Sequence, residues 1–425
     1  MREMKDSGIE WIGQIPKEWE LRRAKTLFTQ RNSKGNGIEV LLSPTQKYGV
    51  VPQSQLEGVV QVKEDTDLQM FKTVHKGDFV ISLRSFQGGF EYSLYEGVCS
   101  PAYQVFYPTS PICDTYYRYL FKSQSFISKM NNLTVGIREG KNIQYVDFAN
   151  SQIPVPPLAE QERIAAFLDA ECAEIDTVLE KTRASIEEYK KLKQAVITQA
   201  VTKGIRGDRP MKNSGIEWIG EIPAEWDVVR IKNLFDYRNE RNFKPLEEVN
   251  LISLYTDKGV VQHCDLDETT GNKASNADGY KLVYENDIVV NIILCWMGAI
   301  GRSAYFGVTS PAYDVYSPKQ KTNSKFYHYL FRTNGFSGDC YKVGRGIMAM
   351  RWRTYSDQFR AIKVVSPPQS EQEEIVEYLD EKCEGIDDLI AKKQQYLTEI
   401  ENYKKSLIYE YVTGKKEVKT SVLAD

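Results

Sequence analysis

Apolar side chains recur at steps of three and four along two long stretches of this chain, the spacing of a helix with one seam to bury. The first stretch carries Leu168, Cys172, Ile175, Leu179, Ile186, Tyr189, Val196 and Ala200, with Thr182 and Lys193 as weak positions. The second carries Leu379, Cys383, Ile386, Ile390, Leu397, Ile400, Leu407 and Tyr411, interrupted by Lys393 and Lys404. Pro156-Pro157 and Pro367-Pro368 stand before them, and Gly204 and Gly414 after them, as helix starts and stops should. The pattern predicts helices over about 159–203 and 370–413, each about 65 Å long at 1.5 Å per residue. A lone helix with such a seam needs a partner, so the two are expected to pair as an intramolecular coiled coil. If antiparallel, the coil holds two globules apart at its ends, related by a pseudo-two-fold. The plainer alternative is a helical hairpin that only stabilises the globules, but that needs less length.

Elsewhere the helical period is missing. Short strands are expected at Val40–Ser43, Phe79–Leu83, Gln104–Tyr107 and Ile288–Cys295, with turns at Asn36-Gly37, Gly88-Gly89, Gly97, Gly259 and Gly301. Tyr116–Lys129 and Phe326–Phe336 read as short helices. The fold class is therefore α+β, with the strands in the globules.

The two halves also share words. Residues 5–19, KDSGIEWIGQIPKEW, return at 212–226 as KNSGIEWIGEIPAEW. Ser100-Pro-Ala-Tyr returns at Ser310, Tyr117-Arg-Tyr-Leu-Phe as Tyr327-His-Tyr-Leu-Phe, and Val155-Pro-Pro-Leu-Ala-Glu-Gln-Glu as Ser366-Pro-Pro-Gln-Ser-Glu-Gln-Glu. The unit of roughly 210 residues is far longer than a solenoid repeat. This gives a first globule at 1–157, a first long helix at 158–208, a second globule at 209–367, and a second long helix with a tail at 368–425. Between the shared words the copies differ: Arg84-Ser-Phe-Gln-Gly-Gly-Phe stands where copy two has Cys295-Trp-Met-Gly-Ala-Ile-Gly. Shared scaffold with unlike Gly-rich loops points to two related surfaces that read two different targets.

Composition narrows the chemistry. The 425 residues carry a net charge of −3, which argues against a sequence-independent nucleic-acid coat but not against local basic sites. One such stretch is Tyr341–Lys363, with six cationic residues against Asp357 alone. Seven Cys without CxxC spacing fit reduced thiols better than a disulfide frame. Three scattered His leave little for zinc. The apolar run Ile288–Ile300 is too short to span a bilayer, and the N-terminus lacks a signal-peptide pattern. No P-loop, HExxH or GxSxG word occurs. The SPAY words resemble the polar-Pro-Pro-aromatic word of amino-directed DNA methyltransferases, but the third residue is Ala and no cofactor fingerprint precedes it. A turn into the strand Gln104–Tyr107 suits them better. Asp147 and Asp357 correspond and read as caps or turn formers. Trp11, Trp19, Trp218 and Trp226, shared by the copies, read as core or helix-docking residues. Trp352, between Arg351 and Arg353, is open to both packing and nucleic-acid contact.

Two variable globules alternate with two repeated helices, and each globule opens on GIEWIGxIPxEW, passes SPAY and closes on PPxxEQE. In this the chain resembles the specificity subunit of Type I restriction–modification systems over nearly its whole length. The resemblance implies target recognition domains that each read one half of a bipartite, asymmetric site in double-stranded DNA. The helices would set the gap and dock two methylation subunits. Those partners would carry S-adenosylmethionine and methylate adenine N6, and restriction/translocase subunits would cleave with ATP and Mg. This chain would then be a non-catalytic, cytoplasmic subunit holding no cofactor or metal of its own. A stand-alone DNA-binding or bridging protein is the alternative. Local positive charge, Gly flanks and divergence between copies nominate Arg84, Ser85, Phe86, Gln87, Arg138, Lys141 and Asn142 as DNA-binding in copy one. In copy two the same criteria nominate Trp296, Met297, Arg302, Arg345, Arg351 and Arg353. Leu168, Ile175, Leu179, Ile186, Leu379, Ile386, Ile390 and Leu397 are the expected coiled-coil positions.

Overall fold

The structure is a computed structural model that describes residues 2–35, 40–56, 68–133, 143–265, 276–346 and 352–419, with Phe86 and Cys264 described by backbone only. Two compact units divide the chain, Met1–Arg183 with Gln395–Asp425, and Ala184–Gln394. Each contains one globule and parts of both long helices.

In the first unit a four-stranded antiparallel sheet runs in the order Phe28–Arg31, Gln104–Pro108, Phe79–Ile81, Glu91–Tyr92. The inner strand Phe79–Ile81 is apolar at every position because both of its faces are covered. Phe79 and Ile81 enter the main core, while Val80 points the other way into a smaller core with Leu42, Val50, Val74, Cys99 and Val105. Phe28, Phe79, Phe90, Phe106 and Phe121 pack together in the main core, Phe79 stacked on Phe106 and the other contacts edge to face or tilted. The second unit repeats the order with Phe235–Arg238, Tyr313–Pro318, Ile288–Asn291 and Ile300–Arg302. There Val289 and Val315 turn to the smaller core while Ile288, Val290 and Tyr316 fill the larger. A shared clamp backs each sheet: Arg31 Nε donates to Asp78 at 2.7 Å and Arg238 Nε to Asp287 at 2.8 Å.

Some boundaries move from their sequence reading. The first hairpin strand is Leu42–Thr45, not Val40–Ser43. The strand from Ile288 stops at Asn291, whose Oδ1 accepts from the amides of Ile293 and Leu294 and turns the chain into a 3-10 turn at Cys295–Met297. The expected single helix Tyr116–Lys129 is two, Asp114–Lys122 and Gln124–Leu133, because Ser123 takes an extended backbone and its hydroxyl donates to Leu120 O at 2.7 Å. Thr333 does the same between Ser324–Phe331 and Asn334–Val343. The SPAY words are turns, closed by Tyr103 N to Ser100 O and Tyr313 N to Ser310 O, both at 3.0 Å.

The long helices span Leu158–Lys203 and Gln369–Val412. Gly204 and Gly414 follow them with φ of 75° and 71°, the left-handed stop that only glycine takes freely. In the first unit Leu168, Cys172, Ile175 and Leu179 share a core with Leu397, Ile400 and Leu407. In the second, Ile197, Ala200 and Val201 share one with Ile375, Leu379 and Cys383. The start of each helix thus meets the end of the other, and the pair is antiparallel. Ile186 is buried, and Ile386 and Ile390 are half-buried. The weak seam positions carry cross-helix ion pairs: Lys404 with Asp176 at 2.6 Å in the first unit and Lys193 with Asp387 at 2.5 Å in the second. No helix among the described residues is long and apolar enough to cross a membrane.

Candidate nucleic-acid interface

The repeated words build a joint between each globule and its helix. Trp19 and Trp226 are fully buried. Their indole N–H groups donate to Glu160 at 2.9 Å and Glu371 at 2.8 Å, the first Glu of each PPxxEQE word. Arg2 and Arg209 ion-pair with the same carboxylates at 2.5 and 2.6 Å and lie over the same indoles. The Gln that follows is used equally fully. Gln161 accepts from Cys113 N and donates to Pro156 O, and Gln372 accepts from Asn323 N and donates to Pro367 O. Tyr119 and Tyr329 then donate to Asp169 and Asp380 on the helices, at 2.6 and 2.7 Å. Most of these polar groups are buried or half-buried with a partner supplied, while Asp169 is exposed, Arg209 Nε has no hydrogen bond and Glu371 Oε1 meets Arg209 only as an ion pair, so the joint is a closely packed polar network. Trp11 packs edge-on to Phe126, and Trp218 donates to Asp339 at 2.6 Å beneath Gly335. All four shared tryptophans are framework.

The surfaces that differ lie elsewhere in each domain. In copy one, Arg84 is exposed at the head of the helical turn Ser85–Gly88. Gln87 is exposed beside it. Ser85 is not available: it is buried, and its Oγ accepts from Ser82 N at 2.7 Å, holding the turn. The Phe86 side chain, Arg138, Lys141 and Asn142 lie outside the described residues.

In copy two, Met297 is 53% exposed, whereas Trp296 is half-buried against Tyr341. Arg302 is half-buried on the last strand of the sheet, and its Nε donates to Asn286 at 2.8 Å. That leaves it tied to its own domain and away from Arg345 and Arg353 in role. Arg345 and Arg353 are exposed and exchange both backbone hydrogen bonds at 2.9 Å. Directly opposed residues of an antiparallel pair project to one face, and like charges placed so repel unless an anion lies between them. Neither has a carboxylate partner among the described residues, so the pair forms a cationic fork suited to a phosphate. Arg351 lies outside the described residues. Trp352 stacks on Tyr341 at 5.1 Å and 24°, donates its indole N–H to Tyr341 O, and sits against Gly344. It is a packing residue that braces the fork. Tyr341, 49% exposed at the centre of this aromatic column, was not nominated from the sequence; its i, i+11 relation to Trp352 carries no periodic signal.

A family model described as Type I restriction modification DNA specificity domain matches the chain twice, over residues 16–188 and 223–401. The chain belongs to this family of DNA specificity domains from type I restriction–modification. A Methanocaldococcus jannaschii protein, provisionally named type I restriction enzyme MjaX specificity subunit, is 26% identical over 444 residues, covering 96% of each chain. The MjaVIII specificity subunit of the same organism is 28% identical over 301 residues, 66% of each. Among solved structures, a chain from a study of assembly and conformational transition of the type I R-M system overlays with a TM-score of 0.68 at 13% identity, covering 95% of this chain and 99% of that one. The HsdS subunit from Thermoanaerobacter tengcongensis gives 0.51 at 15%, covering 95% and 98%. These two show the shared fold.

Proposed function

We propose that this chain is the DNA-recognition subunit of a type I restriction–modification complex, each globule reading one half of a split, asymmetric site. The observation that carries this is the combination of one joint built twice from the same residues with exposed loops that differ in chemistry. Identical joints present two readers in equivalent fashion to a helical spacer, and unlike loops give them unlike targets. The outer faces of the helices and the PPxxEQE corners dock two methylation subunits, which bring S-adenosylmethionine to adenine N6. Restriction subunits add ATP- and Mg-dependent cleavage in the cytoplasm. The chain itself contributes position and specificity rather than catalysis. Arg84 and Gln87 in the first domain, and Met297, Arg345 and Arg353 in the second, are the exposed residues nearest this role. Arg138, Lys141, Asn142 and Arg351 are proposed with them on the local positive charge and Gly flanks of their stretches and the divergence between copies.

Methylome sequencing tests the reading. Cells expressing the chain with its neighbouring methylation subunit are compared with cells lacking the chain. Adenine methylation at one split motif, present only with the chain, is the expected result. A soluble complex that adds no chain-dependent motif overturns it.

A further inference from the structure

Each domain carries a second exposed element that varies while its surroundings do not. The hairpin Leu42–Thr45/Gly49–Pro52 and the hairpin Ile252–Tyr255/Gly259–Gln262 have the same register, Thr45 opposite Gly49 and Tyr255 opposite Gly259. Both place glycine at φ 73° to close a three-residue loop, the usual solution for that length. Gly-Val-Val follows both loops. Between these equal flanks the loops read Gln46-Lys47-Tyr48 and Thr256-Asp257-Lys258, and all six residues are exposed. Turn geometry demands none of these side chains, so their chemistry is free to serve a ligand.

The loops are fixed to the elements already described. In the first domain Gln46 Nε2 donates to Gln87 Oε1 at 3.2 Å, and a Cβ on Gly88 would come within 2.7 Å of Gln46 Cγ, so glycine lets the two loops touch. Lys122, on the helix below, donates to Gln46 O at 3.2 Å and to Glu91 at 2.7 Å. The corresponding residue of the second domain is Arg332. Its guanidinium donates to Thr256 O at 2.9 Å and Asp257 O at 2.8 Å on one loop, and to Ile300 O at 3.1 Å and Gly298 O at 3.4 Å behind Met297. A half-buried cation bonded to four carbonyls and no carboxylate is a fastener rather than a charge pair. One helix position thus anchors the hairpin turn in both copies: Arg332 ties it to the neighbouring loop, and Lys122 ties it to Glu91 on the edge strand.

The exposed groups suit base edges. The Gln46–Gln87 contact leaves the Gln46 carbonyl and the Gln87 amide N–H free, an acceptor and a donor in the pattern that adenine N6 and N7 require. Lys47, over the Tyr48 ring at 4.8 Å, is a donor for guanine O6 or N7. Asp257 is an acceptor that fits cytosine N4 and repels phosphate, whereas Lys258 is cationic. Lys258 overhangs a cleft of about 590 Å3 whose other wall bears Lys190 and Lys193 of the first long helix.

We propose that each recognition domain reads its half-site with two loops. The hairpin turns Gln46–Tyr48 and Thr256–Lys258 are specificity-determining, and Lys122 and Arg332 are positioning residues, Lys122 holding its turn to the edge strand and Arg332 locking its turn to the neighbouring loop. This rests on the DNA-recognition reading above. The experiment is methylome sequencing of the full chain with its methylation subunit, for the parent and for Lys47→Ala, Tyr48→Ala, Asp257→Asn, Lys258→Ala, Arg332→Ala and Arg332→Lys. The surface variants at 47 and 48 should relax base preference in one half of the motif, and those at 257 and 258 in the other. Each preference should fall roughly 10-fold at the affected position, with the opposite half unchanged as an internal control for folding. Arg332→Ala should blur only the half read by the second domain, and Arg332→Lys should restore much of it. A split motif that stays identical in all four surface variants overturns the two-loop proposal while leaving the function intact. Arg332→Ala that lowers methylation at an unaltered motif overturns its positioning role. A parent chain that gives no split motif overturns the underlying reading and this proposal with it.

Discussion

Single carboxylates decide how firmly each domain is held. Glu160 accepts from Trp19 and from both terminal guanidinium nitrogens of Arg2, and all three groups are largely buried. Glu160→Ala leaves a buried indole N–H unmatched and the Arg2 guanidinium with Glu18 as its remaining carboxylate, which should cost about 1–3 kcal/mol in urea unfolding. Glu91 behaves differently. Burial pushes its carboxyl up from 4.5 to about 7, against the pull of Lys122. Because its folded value lies above its unfolded one, the fold favours the protonated form. Its contribution is fully present below pH 4.5 and is lost as pH rises through about 7. Thermal unfolding of the first domain should therefore weaken over that window, and Glu91→Gln should flatten the dependence. At this scale the sequence was legible in part. The roles of the shared tryptophans could be read, because identity between the copies separates framework from variable surface. The burial of Ser85 could not, since a serine that caps its own turn looks like any exposed one. The packing of Trp352 on Tyr341 was equally hidden, being set by a turn between them. The Gln46–Tyr48 loop left a readable signal, equal flanks around unlike triplets, but it sits in a hairpin that reads simply as a surface turn.

Among elements, the long helices were the most legible. Their seam, Pro-Pro starts and Gly stops are local patterns, and the structure places their ends within a residue of the spacing's expectation. The sheets were less so. Glu20–Arg23 pairs with Gln152–Val155, and nothing local announces a partner so far along the chain. Within the coil, leucine and lysine seam positions should differ sharply in weight. Leu379 is fully buried, and Leu379→Ala should cost about 2–5 kcal/mol through lost transfer energy and the cavity left behind. Asp387, which holds Lys193, is 56% exposed, so Asp387→Ala should change stability by no more than about 1 kcal/mol. Denaturant titration of both variants checks the ranking. The exposed pair acts on register, where a polar seam residue favours one alignment over its neighbours.

For the whole molecule, a net charge of −3 and a local cationic fork must be reconciled with DNA. A few directed contacts, supplemented by partner subunits, predict a modest salt dependence for the chain's own contribution. Arg345→Ala and Arg353→Ala should each lower the slope of log affinity against log salt by about 0.9, one phosphate contact apiece. Titration of the assembled complex at several salt concentrations measures this, and an unchanged slope would remove the fork from the phosphate path.

The joint also bears on heredity. Glu160 and Glu371, Trp19 and Trp226, Arg2 and Arg209 meet in the same bonds, while the exposed loops that differ between the copies take no part in them. A genetic exchange that breaks within the shared words delivers a foreign globule already fitted to its helix. Substitutions in the loops, in turn, leave the docking chemistry untouched. If one subunit instructs both protection and attack, a lineage can acquire a new half-word of its recognition code in a single crossover, with modification and cleavage changing sense together.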